Sequence, residues 1–254
     1  MNVLKSFIWE NLYLEQVLES EKKLPHTKIS KKVFAIGGSD LSNSSDAMIY
    51  LIKCHNEKLA LIDCGVDSLA AIENNIKELG LNPDDLIALI LTHCHIDHTG
   101  TASQLVNKYK DIKTYAHEWE REAIEGKGNY EKLTAASWYG VSYEPVNVDV
   151  AIKAEEEKHK IGETEFLFIH TPGHTPGSMS VLIEDDGRKI LFGQDIHGPF
   201  MDDFNSSVRD WAASMKKLIS KEADVLAEGH YGIFYGKDDV KDFIKRHLRQ
   251  QRML

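Results

Sequence analysis

The sequence predicts an α/β protein built from two similarly constructed halves, and three observations carry this. Short apolar runs bounded by turn residues recur in the first half, as in KVFAIGG, AMIYLIKC, KLALIDCG and LIALIL. Stretches with helical apolar spacing follow and alternate with them, as in DSLAAIENNIKELG and TASQLVNKYK. The second half is patterned alike, with EFLFIHTPGH, MSVLIEDDGRKILFG and ADVLAEGH as strands and SVRDWAASMKKLISK and DDVKDFIKRHLRQQ as helices.

Taken in order, Leu4, Ile8 and Leu12 lie four apart and predict an amphipathic helix over about 1–24 that packs on the main fold. The runs AMIYLIKC and KLALIDCG, separated by HNE, read as a hairpin. The helix in DSLAAIENNIKELG has Asp67 as its expected cap and Gly80 as its stop. The strand LIALIL precedes the helix TASQLVNKYK and the short strand IKTYAH. Residues 117 to about 160 break the alternation. Two short helices and the charged KAEEEKHK read there as a helical insertion over the scaffold. In the second half, EDDGRK is the turn of another hairpin. With no repeat and no low-complexity linker, residues 1–254 are expected to form a single domain.

Composition narrows the function classes. The chain has 254 residues, 42% apolar and 28% charged, the balance of a globular protein with a sizeable core. Its formal charge of −10 makes nucleic acid a poor default partner. The three cysteines, Cys54, Cys64 and Cys94, have no framework spacing, which suits a reducing compartment. No apolar run approaches a membrane span, and Lys5, Glu10 and Glu15 interrupt any signal-peptide core, so a cytoplasmic location is expected.

The chemistry concentrates in LTHCHIDHTG, directly after LIALIL, where His93, His95, Asp97 and His98 fall within six positions. Imidazole and carboxylate are costly to bury unless something binds them. Neutral imidazoles suit zinc or iron, and a carboxylate compensates the charge. Four donors from six residues crowd a single ion, and a second ion with donors from elsewhere relieves this. Candidates stand at the ends of later strands: His174 in HTPGHTPGS, Asp195 in ILFGQDIHG and His230 in VLAEGHYG. Loops at strand ends are common places for active residues in layered α/β folds. Cys94, between two of the candidates, reads as a packing residue.

THCHIDHTG fits the H-x-H-x-D-H signature of the metallo-β-lactamase fold superfamily, and TPGHTPGS, FGQDI and AEGH resemble its later metal motifs in the same order. LALIDCG resembles its early aspartate-bearing strand end, so the resemblance spans about residues 33–235. It implies a four-layer αβ/βα sandwich and two divalent metal ions, zinc first, with iron or manganese as alternatives. By resemblance, His93, His95 and His174 correspond to ligands of one ion. Asp97, His98 and His230 correspond to those of the other, Asp195 to the bridging carboxylate, and Asp63 to a residue that orients ligands.

The expected activity is metal-dependent hydrolysis of an ester, thioester or lactone-type bond of a small molecule, by a hydroxide shared between the ions, with Asp97 and Asp195 as catalytic residues. The competing readings are a single-iron persulfide dioxygenase and an RNA-processing phosphodiesterase. Asp195 argues against β-lactamase activity, because true β-lactamases of the superfamily generally lack that bridging aspartate. Glyoxalase II-type thioesterases share the first motif but carry a large glutathione-binding helical domain, whereas only 24 residues follow His230 here. Acyl-homoserine lactonases use a tyrosine where this chain has Gly198. The partner is therefore expected to be a small molecule, without nucleic acid or membrane, in a monomer or homodimer. Trp119, Tyr130, Trp138, Tyr139 and Tyr143 are expected either to form an apolar lid or to pack the insertion itself, and His197 and Tyr231 flank candidate ligands.

Overall fold

The structure is a computed structural model that describes residues 26–38 and 40–254. The expected helix over about 1–24 lies outside the described residues.

The apolar runs become strands because both of their faces are covered. In β2 (Val33–Gly37), β3 (Ile49–Lys53) and β4 (Leu59–Ile62), Val33, Ala35, Tyr50, Ile52, Ala60 and Ile62 point into one apolar cluster. Their neighbours Phe34, Ile36, Ile49, Leu51, Leu59 and Leu61 point into another. A strand buried on both faces reads as a continuous apolar run rather than an alternation. Among the described residues these strands, with the two-residue β1 (Thr27–Lys28), β5 (Leu86–Ile90), β6 (Lys113–His117) and β7 (Val150–Ile152), form a seven-stranded sheet ordered β1 to β7. The second sheet has six strands among the described residues, in the order β13-β12-β11-β10-β9-β8. They are β8 (Glu156–Ile161), β9 (Thr164–His170), β10 (Met179–Asp185), β11 (Arg188–Gln194), β12 (Val225–Glu228) and β13 (Ile233–Tyr235).

Phe166, Phe168, Val181, Ile183, Ile190 and Phe192 meet the first sheet's inner residues in one core. Helices cover the outer faces: 69–78 and 102–108 contribute Ile72, Ile76 and Leu105 on one side, and 208–220 and 237–250 contribute Trp211, Met215, Phe243 and Ile244 on the other. The result is the four-layer αβ/βα sandwich. Both predicted hairpins form, with Tyr50 opposite Ile62 and Ile183 opposite Ile190.

Two expectations change. The 69–78 helix is preceded by Ser68, not Asp67, and without a side-chain cap. The helical part of the 117–160 stretch is confined to short turns between Arg121 and Trp138, and 150–152 and 156–161 are strands of the two sheets. KAEEEKHK hides a strand because β8 is an edge strand whose residues alternate between solvent and partial burial, so its charges are tolerated.

Both sheets deliver their strand ends to one rim. β4, β5 and β6 run parallel, as do β11 and β12, and β9 runs in the direction of β11 because each is antiparallel to β10. The sheets are tied together there. Met48 N–H donates to Gly229 O at 2.7 Å, Met179 N–H to Thr92 O at 2.9 Å, and Tyr50 Oη–H to Glu228 O at 2.6 Å.

Trp211 anchors the second helical layer behind this rim. It is fully buried, its indole N–H donates to Ile196 O at 2.9 Å, and Gly173 packs so closely that a Cβ there would collide with Trp211. Trp211→Ala is expected to lower the unfolding free energy by about 3–5 kcal/mol, because it removes a large side chain and leaves a cavity. Urea denaturation of the two proteins measures this.

Candidate metal centre

All seven candidate donors converge on the rim. The turn after β5 carries His93 and His95, and a single helical turn, Ile96–Thr99, carries Asp97 and His98. His174 follows β9, Asp195 follows β11 and His230 follows β12. Gly229 is required beside them, because a Cβ at that position would overlap Asp195 Oδ1. His93, His98 and His174 have no exposed surface, and Asp97, His95 and Asp195 are almost fully buried. The His230 side chain keeps 31% of its exposure and forms the open edge.

The donors fall into two groups. His93, His95, His174 and Asp195 offer ligand atoms within 4.8 Å of one another, and so do Asp97, His98 and His230. In the first group, His95 Nδ1 lies 3.0 Å from His93 Nε2 and 2.9 Å from His174 Nε2. Asp195 Oδ2 lies 3.4 Å from His174 Nε2. In the second, His230 Nε2 is 3.3 Å from Asp97 Oδ2, and His98 Nε2 is 3.7 Å from it. Asp195 Oδ1 is 3.2 Å from His98 Nε2 and 3.4 Å from His230 Nε2, so the two oxygens of one carboxylate face the two groups. Donors about 2.0–2.1 Å from a tetrahedral zinc lie roughly 3.3 Å apart, which these separations approach.

The hydrogen bonds around the centre decide where the imidazole protons sit. Asp63 Oδ2 lies 2.7 Å from His98 Nδ1 and also accepts from Thr92 Oγ1–H at 2.8 Å, while Asp63 Oδ1 accepts from Thr92 N–H at 2.9 Å. Thr92 Oγ1, its own proton given to Asp63, accepts from His93 Nδ1 at 3.2 Å. His174 Nδ1 donates to Pro199 O at 2.8 Å. With these protons fixed, the Nε2 lone pairs of His93 and His174 both point at His95 Nδ1, which can satisfy only one of them. On the other side, His98 Nε2 and Asp195 Oδ1 are buried without a hydrogen-bond partner. Converging lone pairs in a dry site call for a cation, and the donor set of imidazoles and carboxylates suits divalent zinc, iron or manganese.

The electrostatics run the same way. Burial first, then the neighbouring imidazoles, holds His93 well below the usual histidine range. Burial opposes the charged form of His98, yet the carboxylates of Asp195, Asp63 and Asp97 hold its imidazole well above that range. His230 is pushed up to about 10 against its burial, chiefly by Asp195. Despite burial, His98 and His230 keep Asp195 well below the usual carboxylate range. In the absence of a cation, the carboxylates thus favour the protonated imidazoles of His98 and His230. Asp63 has φ of +58°, a left-handed conformation uncommon for a non-glycine residue, at the turn that aims its carboxylate at His98.

Sequence reasoning did not single out Glu120. It is buried, its Oε2 accepts from Cys94 N–H at 2.8 Å, and its Oε1 accepts from Thr175 Oγ1–H at 2.8 Å and Gly177 N–H at 2.7 Å. One carboxylate thus clamps the loop of His93 and His95 to the loop of His174. Phe204 also went unnoticed. Its ring lies 4.2 Å from that of His95 and 5.0 Å from that of Trp138, so these aromatics wall one side of the centre.

The aromatics of the insertion divide. Tyr130 and Tyr143 pack beside each other and against Val66 and Ile96 of the scaffold, whereas Trp138 and Tyr139 remain exposed, and burial and then Asp97 push the Tyr139 phenol up. Trp119 sits edge-on to a stacked pair, His117 and His170, whose rings lie 3.8 Å apart. Cys94 is buried in the apolar cluster beneath the helices, as a packing residue.

The His117–His170 stack carries a pH prediction. Burial, then His170, pushes the His117 imidazole down to about 4, against the pull of Glu155 and Glu157. A group whose pKa falls on folding holds its proton more weakly in the folded chain. Its contribution is therefore intact above about 6.5 and is lost as pH falls from there towards 4. His117→Gln is expected to remove on the order of 3 kcal/mol of the acid-induced stability loss across that window. Denaturation of both proteins at pH 7 and pH 4 gives the difference directly.

With the geometry in place, similarity to known proteins is informative. The profile of the metallo-beta-lactamase superfamily matches residues 45–230. A probable metallo-hydrolase of Bacillus subtilis, YflN, is 30% identical over 226 residues, covering 77% of this chain and 84% of the relative. The human acyl-coenzyme A thioesterase MBLAC2 is 24% identical over 238 residues, covering 82% and 81%. A metallo-beta-lactamase structure from Cronobacter sakazakii superposes with a TM-score of 0.73 at 20% identity, covering 90% and 93%, a likeness of fold alone. No helix among the described residues is long and apolar enough to cross a membrane.

Proposed function

The chain belongs to the metallo-beta-lactamase superfamily, and from its site we propose a metal-dependent hydrolase that holds two ions and cleaves an ester or thioester of a small acyl compound. The observation that carries the reading is Asp195, whose two oxygens face two separate donor groups at 3.2–3.4 Å. His93, His95 and His174 would hold one ion, Asp97, His98 and His230 the other, with Asp195 between them. Ions bound there would supply Lewis acidity, polarising a carbonyl and activating water near neutral pH.

The chain's own groups prepare that chemistry. Asp63 and Thr92 keep the Nδ1 protons of His98 and His93 in place, so both rings present Nε2 to the centre. Glu120 holds the two loops at fixed separation. Phe204 and Trp138 present an apolar wall suited to an acyl chain, and the Tyr139 hydroxyl lies beside Asp97 at the mouth. The thioester preference draws support from the likeness to MBLAC2.

Metal analysis joined to a substrate panel tests the reading. After removal of metal by a chelator and reloading with zinc, manganese or iron, about two ions per chain are expected. Hydrolysis is expected with acyl-CoA thioesters or aryl esters and not with RNA. A single ion per chain that supplementation cannot raise, with turnover seen only as persulfide-dependent oxygen uptake, would overturn the proposal.

A further inference from the structure

One more imidazole faces the same centre. His197 stands two residues after Asp195, in the turn that leaves β11. Its Nδ1 lies 2.8 Å from Glu228 Oε1. Glu228 ends β12 and is completely buried. Its other oxygen accepts the backbone N–H groups of His230 at 2.7 Å and Tyr231 at 2.8 Å. A buried carboxylate is costly unless its oxygens are paired, and these three donors pair them. The same carboxylate therefore fixes the His197 ring and the backbone that carries His230. The two rings stand 5.2 Å apart at 80°.

Asp195, His197 and His230 each offer a ligand atom within 4.8 Å of the others. With Nδ1 turned to Glu228, Nε2 is the nitrogen left for an ion. A ring whose far nitrogen is held by a carboxylate is the usual arrangement of a metal-ligating histidine, since the bond sets both tautomer and direction. The His197 side chain is 17% exposed, so it approaches from the solvent side of the centre, where His98 is fully buried.

We propose that His197 is a further ligand of the ion held by Asp97, His98 and His230, meeting it beside Asp195 and His230 and oriented by Glu228. The proposal rests on the two-ion reading of the site. It makes the two positions unequal: the first has three imidazoles and a shared carboxylate, and the second gains a fifth protein donor on its exposed side.

Cobalt(II) titration of the metal-free parent, His197→Ala and Glu228→Gln tests it, because cobalt reports coordination number by the intensity of its visible bands. The parent is expected to take up two ions. His197→Ala is expected to bind the first as the parent does and the second with affinity lower by roughly 100-fold or more, beyond the 10–100-fold typical when only a ligand's outer partner is removed. Its second-site bands should gain the intensity of a four-coordinate ion. Glu228→Gln should weaken the same step by less, and if it fails to fold, His197→Ala alone decides. Two ions bound to His197→Ala with parental affinities and parental spectra would overturn the proposal. So would unchanged binding with slower turnover, which places His197 on the substrate instead. A parent that takes up only one ion overturns the two-ion reading and this proposal with it, an outcome visible before any variant is examined.

Discussion

Asp195→Ala is expected to weaken both ions at once and to lower hydrolytic kcat/KM by roughly a thousandfold or more, while the fold survives. The reason lies in its position. Asp195 Oδ1 faces His98 and His230, and Oδ2 faces His174, so its loss removes negative charge from both donor groups. Metal stabilisation of a developing charge is worth several kcal/mol, and each 1.36 kcal/mol is tenfold in rate. The carboxylate sits in a turn after β11 and carries none of the core, which is built from Ile190 and Phe192 before it. Elemental analysis, turnover and circular dichroism of parent and variant measure the three parts. A variant that keeps both ions and full turnover would remove Asp195 from the centre.

His98→Ala combined with His230→Ala is expected to abolish binding of the second ion while the first donor group stays intact. Asp97 remains, but a lone carboxylate holds a divalent ion poorly. His93, His95, His174 and Asp195 remain grouped at the first position. Hydrolysis that depends on two ions should fall by roughly a thousandfold, again reflecting several kcal/mol of metal stabilisation. A single-iron oxygenase would keep its oxygen uptake in the same variant, because its donors are untouched. Measuring thioester hydrolysis, oxygen uptake and RNA cleavage on parent and double variant, loaded separately with zinc and iron, separates the three chemistries. Full thioester turnover in the double variant would sink the two-ion mechanism. The metal-free double variant also loses the two imidazoles that hold Asp195 well below the usual carboxylate range. Without them the ionised Asp195 adds less stability at neutral pH, so the metal-free variant loses less of that contribution as pH falls through the acid range than the metal-free parent does.

The candidate donors that the structure brings together were readable in the sequence because they mark themselves locally. His93, His95, Asp97 and His98 are chain neighbours after one apolar run, and His174, Asp195 and His230 each follow another. The strands were readable because runs buried on both faces are apolar throughout, as in LIALIL and KILFG. β8 was not, because an edge strand half open to water can be built from Glu, Lys and His.

By itself, then, the sequence determined which residue types the rim would carry and in what order, since strand ends and motifs are short-range properties. Only the tertiary structure decided which nitrogen each histidine presents and what holds it there. Asp63 reaches His98 across 35 positions, Pro199 reaches His174 across 25, and Glu228 reaches His197 across 31. Glu120 joins Cys94 to Gly177 across 26 and 57 positions, and Phe204 reaches His95 from the far half of the chain. Asp63 was marked by its strand-end motif, but Glu120, Glu228 and Phe204 have no local signature. Their partners are chosen by the packing of two sheets and their loops, which no window of sequence contains.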